Sequence, residues 1–202
     1  MKKLVVIAAT CVLLGSATVA LGAGDATAGK AKSATCAACH NPDGNSTNPQ
    51  YPKLAGQSAD YLTKQLMEFK SGARANPIML GMVAPLSPQD MEDLAAFYAS
   101  QQIARGAADP ALAPAGEALF RGGNLNSGVS ACMACHGATG AGNPAAKFPA
   151  LAGQQAAYVE AQLKAFRAME RANDAGQMMR AIAAKMTDPE IKAVSSYIQG
   201  LQ

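Results

Sequence analysis

The sequence predicts an all-α protein built from two tandem domains related by duplication. Three observations predict it. First, the second half repeats the first. Tyr51-Pro52-Lys53-Leu54-Ala55-Gly56-Gln57 returns as Phe148-Pro149-Ala150-Leu151-Ala152-Gly153-Gln154, at an offset of 97. Each run leads to a tyrosine (Tyr61, Tyr158), a Gln-Leu pair (Gln65-Leu66, Gln162-Leu163) and a phenylalanine (Phe69, Phe166). A unit of that length is a domain, not a solenoid repeat. Second, apolar residues recur at helical period behind N-cap residues, and no segment shows sustained period-two alternation of β-branched residues. Third, half of the 202 residues are hydrophobic and 15% are charged, which suits a packed globule. Aromatics are few and Trp is absent, so two such small domains have thin cores and need something else to fill them.

Met1-Lys2-Lys3 is a basic n-region, Leu4 to Leu14 is an apolar h-region, and small residues between Ala20 and Ala23 offer the cleavage point. Residues 1–22 therefore read as a cleaved secretory signal peptide, which places the mature protein outside the bacterial cytoplasm. The apolar run is shorter than the roughly 20 residues a bilayer span needs. Cys11 is interior to this signal. The mature chain keeps four of the five cysteines, all in two Cys-x-x-Cys pairs. Loss of Lys2 and Lys3 leaves 15 basic against 14 acidic residues, a net charge of +1 that gives no support for nucleic-acid binding.

In chain order, residues 23–103 form the first domain, 104–114 a linker and 115–202 the second domain. Asp25 to Thr35 reads as a short helix leading into Cys36-Ala-Ala-Cys39-His40. Ser58 is an N-cap for a helix with Tyr61, Leu62, Leu66 and Phe69 on one side. Ser87-Pro88-Gln89-Asp90 starts the last helix of the repeat, with proline in the first turn and an acidic residue at N3. Gln101 to Pro114 is rich in alanine, proline and glycine and carries little periodicity. A helix beginning near Ala115 matches the first one, and Gly122 to Ser130 adds a loop before Cys132-Met-Ala-Cys135-His136. Thr187-Asp188-Pro189-Glu190 repeats the final helix start. The two closing helices bury Met91, Leu94, Ala95 and Tyr98 in one half and Ile191, Val194 and Ile198 in the other.

The two Cys-x-x-Cys-His runs contain both histidines of the chain. This is the attachment signature of c-type haem. Two thiols, Cys36 with Cys39 and Cys132 with Cys135, add across the two vinyl groups. The adjacent His40 or His136 then reaches the iron as an axial ligand. Disulfides, thioredoxin-like redox pairs and a zinc site of six possible ligands compete for the same residues. None explains why both histidines directly follow the pairs. Two covalently bound haem c groups would also supply the missing apolar bulk.

No third histidine exists, so a bis-histidine haem within the chain is excluded. Aligning Met79-Leu-Gly-Met82 with Met179-Arg-Ala-Ile182 pairs Met79 with Met179, whereas Met82 faces Ile182 and Met178 faces Ile78. Only the first pairing keeps methionine in both halves. Met79 and Met179 are therefore the axial sulfur candidates, both expected in the loop before the last helix of their repeat.

With these residues in place, the chain resembles the cytochrome c4 family of dihaem bacterial cytochromes. The resemblance covers both haem motifs, both Pro-x-Leu-Ala-Gly-Gln runs, Phe120-Arg121-Gly122-Gly123 and Ser195-Ser196-Tyr197-Ile198-Gln199-Gly200-Leu201. It implies two class I cytochrome c domains with haems close enough for electron exchange, His/Met ligation in both, and Pro52 and Pro149 carbonyls that accept from the ligand histidines. The His-to-Met spacing is 39 in the first half and 43 in the second, which leaves room for unequal potentials.

The expected function is periplasmic electron transfer, with no substrate bound at iron, by a soluble carrier or one loosely associated with the outer face of the inner membrane. The family implies a path from a cytochrome bc complex towards a terminal oxidase or other reductase. A dihaem subunit of a dehydrogenase, such as flavocytochrome c sulfide dehydrogenase, is the alternative. A dihaem peroxidase would need an open iron, against which the paired methionines argue. Charge steers such brief encounters. The first domain sums to −1 and the second to +2, and Lys164, Arg167 and Arg171 stand at i, i+3 and i+7 of one helix, as either a solvated face or a docking patch.

Overall fold

The computed structural model describes residues 24–201; the signal-peptide reading lies outside them. Ten α-helices follow in order among the described residues. The first half holds α1 (Ala26–Lys32), α2 (Ala34–His40), α3 (Ala59–Ser71), α4 (Pro77–Val83) and α5 (Pro88–Ala99). The second holds α6 (Ala113–Gly122), α7 (Met133–His136), α8 (Ala156–Arg167), α9 (Met178–Ala183) and α10 (Asp188–Gly200). Described residues form no strand, only two isolated antiparallel bridges, Asn124 to Val129 and Asn143 to Phe148.

The caps are built as their residue types dictate. Ser58 Oγ accepts from Tyr61 N–H, and α3 ends at Gly72 in the left-handed region. Ser87 with Asp90, and Thr187 with Glu190, form reciprocal capping boxes at the starts of α5 and α10. Met91, Leu94, Ala95, Tyr98, Ile191, Val194 and Ile198 are all buried, as expected.

Two expectations change. The single helix from Asp25 to Thr35 is two helices. Asp25 caps α1, which stops at Lys32 because Ser33 turns back and donates both its N–H and its hydroxyl to the Lys30 carbonyl. α2 then carries the whole Cys36–His40 run. Met79 and Met179 lie on the short helices α4 and α9, not in loops. The signal for α4 was present: Asn76 Oδ1 accepts from Met79 N–H at 3.0 Å, and Pro77 occupies the first turn.

The first and last helices of each half cross at backbone contact. A Cβ on Gly29 would meet the Asp93 carbonyl oxygen of α5 at 2.0 Å, and one on Gly116 the Ala193 carbonyl oxygen of α10 at 2.2 Å. Asp93 and Ala193 are equivalent positions of the repeat, so the crossing was duplicated intact.

Between the halves the chain is tied down on both sides. Asn45 donates to Gln102 O and accepts from Ala104 N–H; Gln199 and Ser196 hold Gly106, Ala107 and Asp109. Two arginines, Arg74 and Arg171, are buried where the halves meet. Arg74 lies over the Phe69 ring and donates to Tyr158 Oη and Gln162 Oε1 of the second half. Arg171 lies over Phe166 and donates to Tyr61 Oη and Gln65 Oε1 of the first.

Candidate functional site: two Cys-x-x-Cys-His centres

Each half presents one centre, made of a helix ending in histidine, a proline loop and a short methionine helix. The proline loops are pinned to the turns after the motifs, Leu54 N–H to the Gly44 carbonyl and Leu151 N–H to the Gly140 carbonyl, both at 2.7 Å. That places Pro52 and Pro149 against the histidines. His40 Nδ1 lies 2.9 Å from the Pro52 carbonyl oxygen, and His136 Nδ1 2.9 Å from that of Pro149. A carbonyl only accepts, so Nδ1 carries the proton and Nε2 keeps its lone pair. Both imidazoles are buried, which lowers their pKa, with the proline carbonyl opposing that shift. They are neutral at pH 7, the form that ligates metal. Tyr51 and Phe148, the residues before each proline, lie with ring centroids 6.3 and 6.2 Å from the imidazoles.

Cys36, Cys39, Cys132 and Cys135 form no disulfide with one another. Cys36 packs against the cluster of Leu62, Leu94 and Tyr98, and Cys132 against that of Phe120, Ile191 and Val194. Burial raises the Cys36 pKa and pushes the Cys132 thiol up to about 11. No three His, Cys, Asp or Glu side chains among the described residues converge as for one metal ion, which speaks against the zinc alternative.

Met79 and Met179 are half-buried, packed on the Phe69–Val83–Met91 cluster and on the second core beside Ile182. Met82 and Met178, set aside by the repeat, are 43% and 39% exposed. Exposed Ile78 and Leu80 flank Met79 on α4, and the Tyr98 hydroxyl is buried with no hydrogen-bond partner. Thiols, a neutral imidazole, a thioether sulfur, an apolar face and an orphaned hydroxyl together fit a large apolar iron macrocycle with polar substituents.

The basic face is not built. α8 ends at Arg167, and Met169 follows in the left-handed region, so Arg171 leaves the helix and is buried between the halves. Lys164 pairs with Glu160 at 2.6 Å, and Arg167 with Asp188 at 2.5 Å. Conversely, Arg74, Arg171, Gln57 and Gln154 have interdomain roles that the sequence reading did not assign. The repetition of Gln57 and Gln154, and of Tyr61 with Gln65 as Tyr158 with Gln162, was the available signal: polar residues duplicated without a part in the motif chemistry.

The family model for cytochrome c matches residues 26–102 and again residues 113–202. Cytochrome c4 of Pseudomonas aeruginosa is 50% identical over 202 residues, covering 100% of both chains. The crystal structure of reduced recombinant cytochrome c4 from Pseudomonas stutzeri superposes with a TM-score of 0.87 at 52% identity, covering 89% of this chain and 100% of that one. The thiosulfate dehydrogenase electron acceptor of Thiomonas intermedia is 39% identical, over 83% of this chain and 78% of that protein. The family implies two covalent c-type haems, one for each duplicated centre. The chain belongs to the cytochrome c4 family of dihaem class I c-type cytochromes.

Proposed function

We infer that each centre holds one haem, tethered by Cys36 and Cys39 in the first half and by Cys132 and Cys135 in the second. His40 with Met79, and His136 with Met179, would supply the nitrogen and sulfur ligands to its iron. Bound there, each haem supplies a one-electron ferric–ferrous couple. The residues do the rest. Pro52 and Pro149 fix the tautomer and ring orientation of the histidines. Burial keeps the imidazoles neutral, and the methionine on α4 or α9 closes the position a substrate would need. The protein is thus a periplasmic electron carrier and not an enzyme. The observation that carries this is the duplicated histidine–proline geometry, identical at 2.9 Å in both halves.

Electron transfer from a cytochrome bc complex towards a terminal oxidase is the partner path proposed, through brief encounters with small interfaces. Among the described residues no helix is long and apolar enough to cross a membrane. The test is spectroscopic. The oxidised dihaem protein should show the sulfur-to-iron charge-transfer band in the red. Met79→Leu and Met179→Leu should each remove one haem's share of it, and the double variant all of it. A band that survives the double variant refutes the ligand assignment.

A second reading makes the chain the acceptor of a dehydrogenase, supported by its likeness to the thiosulfate dehydrogenase electron acceptor. It predicts reduction of both haems by such a dehydrogenase at a rate that rises with enzyme concentration; no reduction rejects it.

A further inference from the structure

Gln57 and Gln154 close the two Pro-x-Leu-Ala-Gly-Gln runs, and each reaches into the opposite half. Gln154 Oε1 accepts from Lys53 N–H at 2.8 Å while its Nε2 donates to the Lys53 carbonyl at 2.9 Å. Gln57 Oε1 accepts from Ala150 N–H at 2.9 Å while its Nε2 donates to the Ala150 carbonyl at 2.9 Å. Lys53 and Ala150 are equivalent positions, so the contact obeys the pseudo-two-fold of the duplication. The amide orientations are settled by chemistry. Each Oε1 also accepts a second backbone N–H at 3.0 Å, from Ser58 and from Gln155, which only an oxygen can do.

The N–H of Lys53 belongs to the same peptide group as the Pro52 carbonyl, which accepts from His40. The N–H of Ala150 likewise belongs to the Pro149 carbonyl's peptide group, which accepts from His136. Each of these two peptide groups is therefore hydrogen-bonded at both ends. The histidine of its own half bonds the oxygen, and the glutamine of the other half bonds the N–H. Lys53, Gln57 and Gln154 are buried, so the polarisation is little screened by water.

We propose that Gln154 tunes the ligand strength of His40, and Gln57 that of His136, each across the domain boundary. The proposal rests on the His/Met ligation inferred above. Accepting the N–H draws electron density through the peptide onto its carbonyl oxygen, because serial hydrogen bonds polarise one another. The stronger acceptor holds the histidine Nδ1–H more tightly and makes Nε2 more basic, which favours the ferric iron. Gln57 and Gln154 are positioning residues that couple one half's side chain to the other half's redox couple.

The test is a redox titration of the full dihaem protein with the two haems resolved by NMR. Gln154→Met keeps the length and removes the acceptor. It should disfavour ferric iron in the first haem by about threefold, from a loss of cooperative strengthening in one hydrogen bond. At about 59 mV per tenfold for one electron, that raises its potential by about 28 mV. The second haem should stay unchanged. Gln57→Met should give the mirror image. In the ferrous protein the Nδ1 proton resonance of His40 should move upfield in Gln154→Met, and that of His136 in Gln57→Met. Gln154→Asn and Gln57→Asn, which shorten the arm but keep an amide, repeat the test should methionine disturb assembly.

A shift in the haem of the mutated residue's own half overturns the proposal. So does a joint downward shift of both haems, the mark of water entering an opened interface, or unchanged potentials with the charge-transfer band intact. Absence of that band in the unmutated protein would instead defeat the ligation reading alone.

Discussion

Asp93 ties both ends of α1 to α5. Its carboxylate accepts from Asp25 N–H at 2.9 Å, Gln89 Nε2 at 2.9 Å and Lys32 Nζ at 2.7 Å. Lys32 also pairs with Asp90 at 2.7 Å. The Lys32 ammonium, then the Gln89 amide and Asp25 N–H, hold the Asp93 carboxyl down at about 2. An unfolded aspartate titrates near ~3.9. A carboxylate depressed on folding stabilises the fold fully above its unfolded pKa, and that contribution is lost as pH falls through its folded one. The equivalent position in the second half is Ala193, which cannot titrate. Acid should therefore loosen the α1–α5 contact between about pH 4 and pH 2, at a position where the α6–α10 contact has nothing to titrate. Amide exchange in α1 and α5 across that range checks this, and Asp93→Asn should flatten its pH dependence. An exchange profile of α1 and α5 left unchanged by Asp93→Asn would disprove it. The His40 and His136 pairs are legible in the motif as residues. Their tautomer was legible only through the family resemblance, because it depends on a proline carbonyl 12 or 13 residues further along the chain.

At the scale of the helix, glycine decides how α1 meets α5 and α6 meets α10. Alanine outranks glycine in a helix by about 1 kcal/mol, so a loose crossing would make Gly29→Ala stabilising. The crossing is tight: the new Cβ would lie 2.0 Å from the Asp93 carbonyl oxygen, which belongs to a helix backbone and cannot swing aside. Gly29→Ala and Gly116→Ala should each destabilise the protein, by about 1–3 kcal/mol as overpacking does. Denaturant midpoints with unchanged slope would check the size; a gain in stability would show the crossing to be loose. Helix starts were readable because Ser58, Ser87 and Thr187 are capping residues with local partners. The crossings were not, since nothing in the sequence near Gly29 says that α5 will pass over it. The break at Ser33 was hidden for a related reason. A serine hydroxyl bonding back to Lys30 is compatible with a continuing helix or a turn, so the residue type alone does not announce the break.

Over the whole molecule, the duplication was written in the sequence as repeated residues. What it builds between the halves became visible only once both copies faced each other. Tyr61 and Tyr158, and Gln65 and Gln162, are the two ends of one polar network. Gln65 Oε1 accepts from Arg74 at 2.8 Å and from Arg171 at 3.2 Å, and Gln162 Oε1 from Arg74 at 2.9 Å and from Arg171 at 2.8 Å. Tyr158 and Tyr61 accept one further N–H from Arg74 and Arg171, at 2.9 and 3.0 Å. Two buried cations are thus held near each other with neutral oxygens, and the Phe69 and Phe166 rings at 4.6 and 4.5 Å help offset their desolvation. Removing one tyrosine hydroxyl leaves a buried guanidinium N–H unpaired, at a cost of about 1–3 kcal/mol. Tyr61→Phe and Tyr158→Phe should each lower stability by that amount and speed proteolysis within the linking segment, because the bonds lost are interdomain. Independent sites add to within about 0.5 kcal/mol. These two do not qualify, since both glutamine oxygens contact both arginines and a guanidinium freed at one end can re-form its bonds at the other. The double variant should therefore depart from the sum of the singles by about 0.5–3 kcal/mol in a double-mutant cycle. Simple additivity would mean that the two arginines act separately, as two independent contacts instead of one shared network.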